Sequence, residues 1–104
     1  MNMLGKYMTE TAFADLVIEL AQWNRWRVVH FRPARTKRGW TTAMTGDRGF
    51  PDLVLARRGE VLHVELKKQD GRLGVGQAEW AEQIGETYRL WRPSDLERIR
   101  EELR

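Results

Sequence analysis

Residues 49–67 read Gly-Phe-Pro-Asp-Leu-Val-Leu-Ala-Arg-Arg-Gly-Glu-Val-Leu-His-Val-Glu-Leu-Lys. Two β-rich runs, Asp52–Arg57 and Val61–Lys67, flank Arg58-Gly59, the pattern of two strands joined by a tight hairpin. If Arg58 and Gly59 are the two loop residues, Asp52 falls opposite Glu65, with their Cβ atoms ~5 Å apart on one sheet face. Lys67 points to that same face, two residues further on. Like charges directly opposed across a strand pair are unfavourable. Two such carboxylates call for a shared proton or a cation. Lys67 supplies one positive charge, and a divalent ion would supply more. Magnesium is commonly held by one or two carboxylates together with substrate phosphate oxygens. The alternative is a structural ion pair of Asp52 or Glu65 with Lys67 on a solvated face.

Outward from the hairpin, the pattern predicts a small α/β domain. Thr9 is placed to cap a helix over Glu10–Gln22. Its apolar positions Phe13, Leu16, Val17, Leu20 and Ala21 fall on one face. Arg27–Phe31 reads as a strand. Asp70-Gly71 marks a turn. Gln77–Gly85 reads as a second helix, with Gly76 as a permissible N-cap and Trp80, Ala81 and Ile84 turned inward. Tyr88–Trp91 is a short strand. Ser94-x-x-Glu97 after Pro93 is a capping box for a last helix whose apolar face is Leu96, Ile99 and Leu103. The expected order is α-β-β-β-α-β-α, a small mixed sheet flanked by helices. Trp26, Phe31, Trp80 and Trp91 are expected in the core, and Glu79, Glu82 and Glu86 toward solvent.

The 104 residues are a prior for a single domain spanning 1–104. The absence of cysteine excludes a disulfide scaffold, an iron–sulfur cluster, a thiolate zinc site and a cysteine nucleophile. With His30 and His63 alone, a His-rich metal site is not expected. No apolar run is long enough to span a membrane, and Met1–Met8 lacks the apolar core of a signal peptide, so a soluble, intracellular, cytoplasmic protein is expected. No membrane partner and no nucleotide cofactor is expected. The net charge of +3 hides an uneven distribution. No acidic residue occurs between Glu19 and Asp47, a stretch carrying Arg25, Arg27, Arg32, Arg35, Lys37 and Arg38 among Trp23, Trp26, Phe31 and Trp40. Such a footprint suits phosphates. The other reading is a solvated basic loop with some core aromatics. Arg32–Trp40, broken by Pro33 and Gly39, reads as an irregular loop and is the better candidate for touching a polyanion.

Two further polar residues sit on apolar faces. On a helical wheel Glu10 lies ~20° from Val17 and ~60° from Phe13, inside the apolar stripe. The competing reading is a first-turn carboxylate that complements the helix dipole and points to water. Gln77 shares a face with Trp80, Ala81 and Ile84, so its amide would reach inward and need partners. Alternatively, it is satisfied by local backbone at the helix start.

The ordered set of Gly49-Phe50-Pro51-Asp52-Leu53, Glu65-Leu66-Lys67, Gly71 and the helical Gln77 resembles the PD-(D/E)xK nuclease superfamily. Within it, the set resembles the virus-type replication-repair nuclease (VRR-NUC) domain. Thr9-Glu10 matches the Thr-Glu pair that often opens that branch's leading helix. The tail Trp91-Arg92-Pro93-Ser94-Asp95-Leu96 is similar to small phage members. The resemblance runs from about Thr9 to Leu103. It implies a PD-(D/E)xK restriction-endonuclease-like core and hydrolysis of DNA phosphodiesters dependent on Mg²⁺ or Mn²⁺. Asp52, Glu65, the Leu66 carbonyl and Glu10 would hold the metal. Lys67 would position or activate the attacking water, and Gln77 would orient the water or Lys67. Metal-assisted hydrolysis needs carboxylates and a cation, not Cys or Ser.

The implied partner is DNA, contacted by Arg32, Arg35, Lys37, Arg38, Lys68 and His30. Small stand-alone members are associated with structure-specific cleavage, including four-way junctions. A Holliday-junction-resolvase-like enzyme cuts two strands symmetrically, so a homodimer is expected. The alternatives are a general, flap or single-strand nuclease of phage replication and repair, a catalytically weak DNA-binding module, and a purely structural interaction domain. His63 shares the sheet-face parity of Glu65, as a proton shuttle or as a packed strand residue.

Overall fold

The computed structural model describes residues 8–32, 34–41 and 43–104, and the backbone alone of residues 34–36, 40 and 41. Helix α1 (Glu10–Trp23) opens where Thr9 leaves the helical region and its side chain accepts from the Ala12 amide at 3.1 Å. It buries Phe13, Ala14, Val17 and Ala21, a face rotated toward Ala14 from the expected one; Leu16 is half-buried. Asn24 ends the helix, its side-chain amide donating to the Leu20 carbonyl, and Arg25 at φ 68° turns the chain into the sheet.

The sheet has four strands in the order β1 (Arg27–His30), β4 (Leu53–Arg57), β5 (Glu60–Leu66), β6 (Tyr88–Trp91). β1–β4 and β4–β5 are antiparallel and β5–β6 is parallel. The β4–β5 loop is Arg58-Gly59 with φ of 51° and 82°, the two positive values that a type I′ turn requires. This turn sets the register Leu53↔Val64 through Arg57↔Glu60. The expected pairing frame therefore holds, and Asp52 lies one step before the strand, opposite Glu65.

The expected order is incomplete. Arg32–Trp40 is not wholly irregular: β2 (Ala34–Thr36) and β3 (Gly39–Thr41) pair antiparallel as a separate ribbon. Lys37 and Arg38 form its turn and Gly39, at φ 107°, leaves it. The order is α-β-β-β-β-β-α-β-α.

One face of the sheet is the core. Leu53 and Leu55 from β4, and Leu62, Val64 and Leu66 from β5, pack with Phe13 and Val17 of α1 and with Ile99 and Leu103 of helix α3 (Leu96–Leu103). Trp26 and Trp91 are buried there as expected. Trp26 Nε1 donates to the Leu103 carbonyl at 2.8 Å. The Arg57 guanidinium, 4.3 Å over the Trp26 ring, bonds the carbonyls of Asn24, Leu103 and Arg104 and so ties down the C-terminal ends of α1 and α3.

Helix α2 (Val75–Ile84) buries no residue fully, and Trp80, Ala81 and Ile84 are half-buried rather than in the core. It starts two residues earlier than expected, with Gly74 as N-cap. Gly76 lies inside it because a Cβ there would meet the Arg48 carbonyl oxygen at 2.7 Å. The last helix also differs at its start. The Arg92 amide bonds Asp95 Oδ2 at 2.8 Å, while Ser94 is drawn to Gln69 by reciprocal bonds of 2.9 and 3.0 Å. Arg92 and Asp95 cap a single 3₁₀ turn, Pro93–Asp95, that leads into the helix; Asp95 is the helix N-cap without a side-chain cap bond, and Ser94–Glu97 is not the capping pair. Among the described residues no helix is long and apolar enough to cross a membrane.

Candidate active site

At the end of the sheet where β4 begins, a cleft of about 500 Å³ brings Glu10, Asp52, Glu65, Leu66, Lys67 and Gln77 together. Its other wall carries His30, Phe31 and Arg32, and Thr11, Ala14 and Asp15 of α1 complete it. Asp52 is fixed by its own pairing partner strand: Oδ2 accepts from the Leu66 amide at 2.9 Å. Glu65 is almost wholly buried, at 2% exposure. Its Oε2 accepts from Gln77 Nε2 at 3.1 Å and faces Lys67 Nζ at 3.7 Å.

Gln77 combines both readings of its amide. Its Oε1 accepts from the Gly74 amide at 2.8 Å and caps α2, which leaves Nε2 aimed at Glu65. The helix can come this close because two glycines meet. A Cβ on Gly49 would lie 2.5 Å from the Gly76 carbonyl carbon and 2.6 Å from the Gln77 nitrogen, and Gly49 also has φ 98°. Gly71 passes against the Lys67 stem, where a Cβ would sit 3.3 Å from Lys67 Cβ. The spacing of these glycines around the charged residues is thus a packing requirement of the cleft.

The electrostatics are those of a carboxylate pair short of positive charge. Burial first, and the Asp52 charge next, push the Glu65 carboxyl up to about 8 against the opposing pull of Lys67. Glu65 Oε1 is buried with no hydrogen-bond partner among the described residues. A buried carboxylate oxygen without a partner is costly. It stands beside the second carboxylate, Asp52, a pair that either a shared proton or an oxygen-ligated cation would satisfy. Among the described residues no group of three or more His, Asp or Glu is gathered so as to hold an ion unaided. Two carboxylates with a backbone carbonyl, water and phosphate oxygens would fit Mg²⁺ or Mn²⁺.

Glu10 is exposed and lines the cleft, at the rim of the interior as its helix phase allows, and its charge adds to the upward push on Glu65. His30 lines the cleft and accepts from Arg32 Nε at 3.3 Å; burial first and Arg32 next lower its pKa. Lys37 and Arg38 are exposed on the ribbon turn. The Arg35 side chain lies outside the described residues. Lys68 is exposed, outside the cleft, and ion-paired with Asp70 at 3.6 Å. Arg25 and Arg27 line a different cleft with Arg57 and Arg58, so the acid-free stretch divides between two ends of the sheet. His63 packs within its strand row, 3.0 Å from the Thr87 hydroxyl and edge-on to Phe50, and does not line the cleft.

Three residues of this region escape the sequence reading. Phe31, expected in the core, is 42% exposed and lines the cleft. Its parity with Asp52 could have been read from the β1–β4 pairing, but that pairing is not local. Asp15 lies one turn along α1 from Thr11 on the cleft wall. The Tyr88 hydroxyl is buried without a partner among the described residues, and burial, then Glu65 and Asp52, push it up to about 12.

Compared with protein-family models, with curated proteins and with solved structures, the chain finds no match.

Proposed function

We propose that the chain is a Mg²⁺- or Mn²⁺-dependent DNA endonuclease of the PD-(D/E)xK type, similar to VRR-NUC domains. The observation that carries this is the buried Glu65 beside a half-buried Asp52, with an orphaned Glu65 Oε1 and Lys67 3.7 Å from Oε2, on one wall of an open cleft. Asp52, Glu65 and the Leu66 carbonyl would hold the ion, with Glu10 at the rim. A strand residue's amide and carbonyl point to the same side, so that carbonyl follows the Leu66 amide toward Asp52. Bound there, the ion would polarise the scissile phosphate and make its water a better nucleophile.

The chain's own residues do the rest. Lys67 offsets negative charge that develops on the phosphoryl oxygens and orients the attacking water. Gln77, anchored on Gly74, keeps the Glu65 carboxylate from rotating away. Water attacks phosphorus and gives up a proton to solvent, the P–O bond to the leaving sugar oxygen breaks, and that oxygen takes a proton from solvent. Arg32, with His30 beside it, is placed for the flanking phosphates, and the ribbon with Lys37 and Arg38 extends the basic approach. The same proposal extends to branched DNA cut by a two-fold homodimer, for which sedimentation with and without a four-way junction is the check.

The test is cleavage of labelled junction, flap, single-strand and duplex DNA with Mg²⁺ or Mn²⁺. Asp52→Asn and Lys67→Ala are expected to slow cutting by about 10²-fold or more while DNA binding survives. Wild-type cutting by both variants would remove Asp52 and Lys67 from the site. No cutting by the wild type with either metal would leave a DNA-binding module.

A further inference from the structure

Phe31 is a large apolar ring in a cleft lined mostly by charged and polar residues. It follows β1, its amide donating to the Asp52 carbonyl at 2.9 Å, so it continues the cross-strand row of Asp52 and Glu65. Neighbouring strands lie about 4.8 Å apart, which sets Phe31 one strand spacing from Asp52. The ring keeps 42% exposure and lines the cleft.

The ring is also held. Phe31 meets Phe50 edge-to-face at 5.7 Å, and Phe50 meets Trp80 edge-to-face at 4.9 Å. Trp80 is fixed in turn by its indole N–H to the Asp47 carbonyl at 3.2 Å. Val29, on the same sheet face and 45% exposed, does not line the cleft. Phe31 is thus braced on one side before any ligand arrives, and it lines the same cleft as Asp52 and Glu65.

We infer that Phe31 is a stacking platform for an unpaired nucleobase beside the phosphate that is cut. The inference rests on the nuclease reading and names its substrate class: DNA with an unstacked nucleotide at the cleavage position. A paired duplex offers only its backbone to the cleft. To reach Phe31 its base must first leave the stack, a cost smallest where the base is already unpaired. Aromatic stacking tolerates any base, because each has a π-face. Phe31 therefore selects for structure and not for sequence.

The test measures binding by the full-length chain, with Ca²⁺ as a non-cleaving oxygen-ligated ion, by fluorescence anisotropy on three DNAs. They are a duplex with one unpaired thymine, the same duplex with an abasic residue there, and the fully paired duplex. Phe31→Ala is expected to weaken binding of the unpaired-thymine duplex by about ten-fold, within the roughly 5- to 150-fold range of such contacts. The abasic and paired duplexes are expected to bind wild type and variant alike, and Phe31→Trp to restore the preference. An equal loss on all three DNAs, or a loss on the abasic one, overturns the role of Phe31. If that happens while wild type still cuts with Mn²⁺, the nuclease reading stands and this inference alone falls. If wild type neither binds nor cuts, both fall. Thermal unfolding of Phe31→Ala checks that this exposed position leaves the fold intact.

Discussion

Glu65→Gln is expected to make the metal-free protein more stable, with a pH dependence that follows from the site. Burial and Asp52 raise the Glu65 carboxyl in the folded chain from 4.5 to about 8. Below pH 4.5 the group is protonated folded or unfolded and costs nothing. Between pH 4.5 and about 8 the unfolded chain ionises while the folded one holds the proton, so stability falls as pH rises and then levels off above that range. One pKa unit is worth about 1.4 kcal/mol, so the undiscounted span is roughly 5 kcal/mol. Water at the open mouth of the cleft screens part of it, and we expect about 2 kcal/mol at pH 8. For a chain of this size that is roughly 8–16 °C in Tm. Glutamine reproduces the protonated form: its oxygen can still accept from Gln77, and its NH₂ can donate to Asp52. The assay is thermal unfolding of both proteins in chelator from pH 4 to 9. The difference should be near zero at pH 4 and largest above pH 8. Mn²⁺ at a hundred times its Kd should stabilise wild type by about 2.7 kcal/mol and the variant far less. A variant no more stable than wild type at pH 8, or a difference flat across the range, would refute the account of Glu65 as a carboxyl held protonated by burial and the Asp52 charge.

Gly49→Ala is expected to cost about 3 kcal/mol, since its Cβ meets α2 backbone at 2.5 Å from a φ of 98°. Gly74→Ala, whose Cβ would stand 3.6 Å from Gln77 Oε1, should cost less than about 1 kcal/mol. Urea unfolding distinguishes them, and similar losses would mean that the Gly49–Gly76 contact does not position the helix. Arg57→Lys removes the fork that serves three carbonyls and the Trp26 ring. It should cost about 2 kcal/mol and leave cutting unchanged, because Arg57 lies at the far end of β4 from Asp52. A cleavage defect without a stability loss would contradict that placement.

The parts of the fold legible in the sequence are those fixed by local chemistry. Thr9 caps α1 by its own side chain, and Arg58-Gly59 allows one tight turn. From that turn the alternation of side chains carries Asp52, Glu65 and Lys67 onto one face. Tyr88–Trp91 is read correctly because a short run rich in aromatic residues lies between a helix end and a proline. What stayed hidden is set by distant residues. Gly76 looks like a helix boundary until Gly49, far upstream, needs the space. Ser94 looks like a cap until Gln69 claims it. Phe31 looks like core until β1 pairs with β4 and places it in the row of Asp52. The ribbon over 34–41 has strands of three residues each, too short for alternation to register.

The same contrast bears on the site itself. Two carboxylates opposed across a strand pair violate the rule that stabilises sheets, and a buried oxygen without a donor violates the rule that stabilises cores. Both violations fall on Glu65. Around it, the structure spends ordinary means on holding the conflict in place: Gln77 anchored by its own helix cap, Asp52 by the Leu66 amide, and α2 brought close by paired glycines. A surface ion pair would need none of this support, since Lys67 could meet either carboxylate in water. Local rules broken together, within a frame that keeps them broken, set Glu65 apart from the carboxylate of a surface ion pair.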